Sequence, residues 1–443
     1  MTIIRWTGLE VAALRTALRD TQVQFADRIG CSIESVGKWE RRGADITLGA
    51  KYSECMDTAR ERLDDEQGAR FDAVLGNQRN IPSAEAALDL RPWSHTSAIR
   101  PGRAAALKVS RNGSVDGGIF QMRRVIMGCI PDSAPADQHE LTAAVARAWD
   151  LFFSARFDEM QRELPVALAS GYSAAESAAG EQLREINMSM AKLLHAASNF
   201  LGYVAHEDLA ALALLRAEAL AAESGDELTL AAARGSRSWL LAKNGMYDDA
   251  AACADQVASE IEPRLSTATP RHIAIWGELL CYAAFAASGA GDYREARSYL
   301  RLGEAAGTQL EGDYASRPEA SNVFGHISAA SFGVVNEVAA NRPRQALKLA
   351  AVVTGRGNGI PPTLRSRWLV NVAQAQMHDH DDAGAVDTLA RAWSLAPELI
   401  CRIPLAHRIV NELSTRRGGK RIEGLVGIAE RVGVSVQAME ARP

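Results

Sequence analysis

The stretch TQVQFADRIGCSIESVGKWERRG, residues 21–43, decides how the first part of the chain is read. Thr21 is a good helix N-cap, and Gln24 follows at the spacing of a capping box. Phe25, Ala26 and Ile29 then recur on one helical face. Gly30 can take the left-handed conformation that stops a helix within one residue. Ser32 is a second N-cap with Ser35 at its third position, and Val36 and Trp39 supply the next apolar face. Two short helices joined so tightly, with the small Ala26 permitting close crossing, make a helix-turn-helix.

Upstream, GLEVAALRTALR (8–19) puts Leu9, Ala13, Leu14, Ala17 and Leu18 on one stripe, so another helix precedes the pair. The spacing from Leu14 to Gly43, without a gap, resembles the phage-repressor (Xre-like) helix-turn-helix family. The match is carried by Gln22, Phe25-Ala26, Ile29-Gly30, Ser32, Ser35-Val36 and Lys38-Trp39-Glu40-Arg41. The resemblance implies DNA binding, with the second helix entering the major groove by its leading residues. It implies a structural ion pair between Arg15 and Glu40, costly to break from one side. It also places Gln22 on a phosphate and Ser32, Ile33, Glu34 and Lys38 at base-facing positions. The chemistry suits those roles: Lys38 can donate to guanine, Glu34 can accept from cytosine N4, and Ile33 can meet a thymine methyl. Ser32, Ser35, Arg41 and Arg42 suit phosphates. Gly37 departs from the family pattern, where a larger polar residue is common.

The whole chain is 443 residues with a formal net charge of −5, so it has no basic signature. Residues 1–44 carry a balance of only +2. A weakly basic domain makes few phosphate contacts, which implies a homodimer reading two half-sites of operator DNA. The competing reading is a helical pair that no longer sees DNA, in a protein-binding scaffold. Residues 45–75 read as one or two further helices closing a first domain, 1–75. Residues 76–134 are rich in Pro, Gly, Ser and Asn and read as a linker, basic enough to touch phosphates or simply solvated. Within it Asn112-Gly113 can turn a small hairpin, and GGIFQMRRVIMGCI (117–130) is apolar with no clear period.

From residue 135 to 443 helical periods dominate, and one pattern recurs: a helix, a short turn, then an alanine opening the next helix. The instances are KNGMYDDA, GAGDYREA, AANRPRQA and HDHDDAGA, ending at Ala250, Ala296, Ala346 and Ala385, 46, 50 and 39 residues apart. Residues 154–160 and 202–210 look like weaker copies. These units resemble the tetratricopeptide repeat (TPR); Ala373, Ala385, Ala392 and Pro397 carry the best match, and Ser238 and Ala284 share the small position of Ala373. The resemblance implies five or six degenerate helix pairs stacked into an α-solenoid, which buries a continuous core and leaves an extended concave surface. In that register Trp239, Lys243, Glu278, Phe285, Arg367 and Gln374 point inward with Asn371 beside them, a set suited to a peptide, small-molecule or protein ligand.

The expected architecture is therefore all-α: an N-terminal helix-turn-helix domain, a linker and a helical-repeat sensor or dimerisation domain. Together they suggest a DNA-binding regulator whose operator binding responds to a ligand or partner held by the repeats, the layout of cytoplasmic peptide-pheromone regulators. No apolar run reaches the ~18 residues that cross a bilayer, and MTIIRWTGLE lacks a signal peptide's long apolar core. A cytoplasmic protein without a membrane partner is the expectation. The six cysteines stand singly, with no Cys-x-x-Cys. No phosphate-binding loop or Gly-x-Ser-x-Gly elbow occurs, and His378-Asp379-His380 reads as a solvated turn. No catalytic residue, metal ligand or cofactor is assigned. An enzyme built from scattered residues stays open, to be judged by whether ionisable groups converge in a deep pocket.

Overall fold

The computed structural model describes residues 6–43, 46–79, 115–310, 312, 323–354, 360–416 and 422–434. The fold is all-α; among the described residues the only β pairing is an isolated bridge between Thr7 and Thr47. The chain divides into two compact units, 1–107 and 108–443. Among the described residues no helix is long and apolar enough to cross a membrane.

The first unit contains α1 (Gly8–Leu18), α2 (Gln22–Ile29), α3 (Ile33–Arg42), α4 (Ala50–Glu61) and α5 (Asp65–Arg79). The local signals act as chemistry requires. Thr7 and Thr21 both form capping boxes, with Glu10 and Gln24. Gly30 ends α2 at φ 73°, and the Ser32 hydroxyl accepts the Ser35 N–H at 3.1 Å to start α3. Leu14, Phe25, Val36, Trp39, Met56 and Phe71 form one core beneath the helices. Helix α1 packs on both α3 and α5, so it buries two faces.

The second unit opens with α6 (Val115–Ile126), followed by α7 (Gln138–Phe153), α8 (Phe157–Ser177), α9 (Gly180–Tyr203), α10 (Glu207–Ser224), α11 (Glu227–Lys243) and α12 (Tyr247–Glu260). Then come α13 (Pro270–Gly289), α14 (Tyr293–Gly307), α15 (His326–Ala339), α16 (Pro343–Thr354), α17 (Pro362–His378) and α18 (Asp382–Leu395). The short α19 (Pro397–Ile400), α20 (Pro404–Thr415) and α21 (Leu425–Val432) complete it.

One turn recurs six times, between α7 and α8, α9 and α10, α11 and α12, α13 and α14, α15 and α16, and α17 and α18. Its central residue is left-handed in every case: Ala155, Ala205, Gly245, Gly291, Asn341 and His380. The next N–H reaches back five residues, as Arg156 to Leu151, His206 to Leu201 and Met246 to Leu241. Those bonds occupy carbonyls that a helix end leaves orphaned.

Each helix from α7 to α18 packs on its successor, and the odd-numbered ones also pack on each other in order. The odd helices are the inner layer. The last of them, α17, returns to the first, α7. There the buried Thr363 hydroxyl lies 2.6 Å from the Phe152 carbonyl and 2.5 Å from that of Phe153. Ala396 and Leu399 join the same core as Phe157 and Phe200, and Glu398 accepts the Asp158 N–H at 2.9 Å. The inner layer thus returns to its own first helix, a contact that the expected extended concave surface of stacked repeats does not include. The physical reason is the long-range burial around Thr363, α19 and α7, which no repeat register encodes.

Residues 115–126, placed in the linker by composition, form α6 and pack on α8 and α10. A Cβ on Gly118 would lie 2.7 Å from the Gln161 carbonyl oxygen. The glycine is where two helix backbones approach. The Asn112-Gly113 hairpin lies outside the described residues.

Candidate functional site

Two places gather the residues singled out from sequence, one in each unit. In the first, Arg15 reaches Glu40 with both arms, Nε at 2.5 Å from Oε1 and Nη2 at 3.2 Å from Oε2. Its Nη1 donates to the Asp20 carbonyl at 3.0 Å. The Gln22 amide donates to Glu40 Oε2 at 2.9 Å. One carboxylate therefore ties α1, α2 and α3 together through fork-shaped charged bonds. Gln22, expected from the resemblance to meet a phosphate, is bonded to Glu40 in this cluster.

Gly8, which sequence reasoning missed, sets the spacing of α1 and α3. A Cβ there would stand 1.7 Å from the Trp39 carbonyl oxygen. At the other end of α3, Ser32 and Ile33 face solvent, Ile33 at 44% exposure. Ser35 and Arg42 are half-buried, and the Ser35 hydroxyl lies 3.0 Å from that of Ser32. Glu34, Lys38 and Arg41 fall on α3, but their side chains lie outside the described residues. Gly37 serves no close approach, since a Cβ would meet only Gln22 Oε1, at 3.8 Å. Gly37→Ala is therefore expected to stabilise the first unit by about 1 kcal/mol through helix propensity. Slower amide exchange across residues 33–42 would register this, and an unchanged or faster rate would refute it.

In the second unit the inner helices surround a cavity of about 50 Å³. Of the seven residues proposed from sequence, Trp239, Glu278 and Arg367 line it. The Arg367 guanidinium stands over two aromatic faces, 5.4 Å from the Tyr203 ring centre and 5.5 Å from that of Trp239. The other four do not line it. Lys243 is held elsewhere, donating to the Gly202 carbonyl and, at 3.0 Å, to Glu207. Phe285 packs near Phe332 at 6.5 Å between ring centres. The Asn371 amide donates to the Arg367 carbonyl on its own helix at 3.0 Å, and Gln374 is half-buried further along α17.

The wall is completed by residues that sequence reasoning did not single out: Trp149, His195, Asn199, Tyr203, Ser236 and Tyr282. Helical periodicity shows which face turns inward but not what that face meets, so it could not tell wall from core. His195 Nε2 lies 2.7 Å from the Ser236 hydroxyl, and burial pushes its pKa down to about 4, so it is neutral near pH 7. The Tyr282 hydroxyl donates to Glu278 at 3.0 Å, and burial raises the pKa of both Tyr203 and Tyr282. Ionisable groups do converge here, which is the condition set for the enzymatic reading. Ser236 lies within α11, however, whose backbone N–H groups are spent on the helix. Among the described residues no group of His, Cys, Asp or Glu is arranged to hold a metal ion.

The class defined so far is an all-helical protein of two units, one presenting a clamped short helix and the other a ring of helix pairs around an aromatic cavity. The chain is similar, at 26% identity over 136 residues, to uncharacterized proteins of two Mycobacterium tuberculosis strains. That similarity covers 28% of this chain and 30% of each relative, under a third of their length. No family model matches the chain. No solved structure matches it either.

Proposed function

We infer that the protein is a DNA-binding transcriptional regulator that works as a dimer, with a ligand-responsive helical-repeat half. One observation carries this reading: the Arg15–Glu40 fork with Gln22, which holds α3 while Ser32 and Ile33 stay open to solvent. A clamp across three successive helices is what a reading helix needs, because base readout demands a set angle to the groove. The phage-repressor resemblance of residues 14–43 points the same way. In this reading Ser32, Ile33, Glu34 and Lys38 meet base edges, and Ser35, Arg41 and Arg42 meet phosphates. Gln22 would leave Glu40 for a phosphate when DNA arrives.

The paired helices of the second unit are read as TPR-like repeats. A ligand there changes operator binding only if it prefers one of two dimer arrangements, and so one spacing of the two α3 helices. The reading places the protein in the cytoplasm, beside the chromosome.

The test is selection of genomic fragments by the full chain, then gel shift with Ile33→Ala/Lys38→Ala. Ile33 is outside the core, so the fold should persist by circular dichroism. Loss of two base contacts worth about 1–3 kcal/mol each should weaken the specific shift by roughly 30-fold or more. No shift by the natural chain at any salt would favour a protein-binding scaffold, and equal shifts by both chains would remove α3 as the reader.

A further inference from the structure

The cavity of the second unit is small and rich in donors. About 50 Å³ of it can take the centre of a water-sized group, which leaves room for a small flat molecule but far less than an extended peptide requires. The contact of α17 with α7 closes the layer around it. Two donors in its wall lack an acceptor: the Trp149 indole N–H, on a side chain 4% exposed, and the Tyr203 hydroxyl, on one 9% exposed. Tyr203 stands beside Arg367. Arginine has no acceptor atom, so Arg367 can only donate to the phenol oxygen, and the phenol's own proton stays unspent. Burial keeps Tyr203 protonated. Unpaired donors of this kind are costly unless something accepts from them.

Beside the polar Asn199, Ser236 and Glu278, much of the remaining wall is flat and aromatic. Trp149 packs against Phe152 and Phe153 with ring centres 5.7 and 5.6 Å apart, and Trp239 lies 5.3 Å from Tyr203. His195 brings no positive charge, being neutral and bonded to Ser236. The cation is Arg367, already stacked and so limited in freedom.

We propose that this cavity binds a small organic carboxylate with a flat apolar body, its oxygens accepting from Arg367, Tyr203 and Trp149. The aromatic faces hold the body. Glu278, with Tyr282 on one of its oxygens, lines the same space and selects a ligand that also carries an ammonium group. This names the ligand class for the sensor half of the function inferred above, and depends on that inference only for the regulatory consequence.

Calorimetry on the full chain without DNA tests the binding, with benzoate, L-phenylalanine and the neutral benzamide as probes. At least one carboxylate should bind and benzamide should not. Tyr203→Phe removes only the hydroxyl and should weaken binding about tenfold, and Arg367→Gln by more than that. Tighter binding of phenylalanine than benzoate, lost in Glu278→Gln, would assign the ammonium to Glu278; equal binding would leave the carboxylate site alone standing. Absence of heat with both carboxylates overturns the proposal. So does equal binding of benzamide, equal binding by Tyr203→Phe, or tighter binding of a five-residue peptide ending in phenylalanine. Gel shift with and without the bound probe is read separately. Binding without a changed shift refutes the regulatory link and leaves the site intact.

Discussion

Gly8→Ala should separate α1 from α3 and disable the first unit. The added Cβ would meet the Trp39 carbonyl oxygen at 1.7 Å, the Trp39 carbonyl carbon at 2.7 Å and the Gly43 nitrogen at 2.9 Å. All three are backbone atoms, so no side chain can swing aside. The helices must move apart by more than an ångström, at a cost of about 3 kcal/mol, the upper end for overpacking. That movement strains the Arg15–Glu40 fork, which tolerates little displacement. Amide exchange of residues 8–18 and 33–42 should accelerate roughly 100-fold, as 3 kcal/mol requires. The specific DNA shift should fall with it. Wild-type protection in the variant would show that the close approach is not needed.

Thr363→Val should open the inner layer. Valine keeps the shape but removes the hydroxyl that bridges α17 to the Phe152 and Phe153 carbonyls. Thr363 is fully buried, and the Phe152 carbonyl keeps the Ala155 N–H at 3.1 Å, so the loss falls mainly on the Phe153 carbonyl. A buried acceptor that loses its partner costs about 1–3 kcal/mol. Faster exchange at the end of α7, and altered emission from Trp149 beside it, would report the opening. Thr363→Ser, which retains the hydroxyl, should restore most of the protection. If valine behaves like threonine, the closure rests on the apolar contacts of Ala396 and Leu399 instead.

Much of the local structure was legible. Thr21, Gly30 and Ser32 act in sequence-local hydrogen bonds and dihedrals, so the boundaries of α2 and α3 follow from residue type. Four of the six recurrent turns carry the Gly, Asn or Asp signals that mark such turns. The other two put Ala155 and Ala205 into the left-handed region, where alanine is disfavoured by roughly 1–2 kcal/mol. Those copies therefore looked weak. The Arg15–Glu40 pair came from family resemblance, since residues 25 apart in sequence declare no contact by spacing.

Sequence by itself determined the helical content, the caps and turns, and the division into a short-helix front and a paired-helix remainder, because each of these is a property of neighbours along the chain. Tertiary structure alone decided that Gly8 and Gly118 are contact points, that α6 belongs to the second unit, and that α17 returns to α7. It also decided which aromatics line a cavity and which fill a core. Those outcomes depend on packing between residues up to 240 positions apart, and helical periodicity shows only which face is apolar, not what that face will meet.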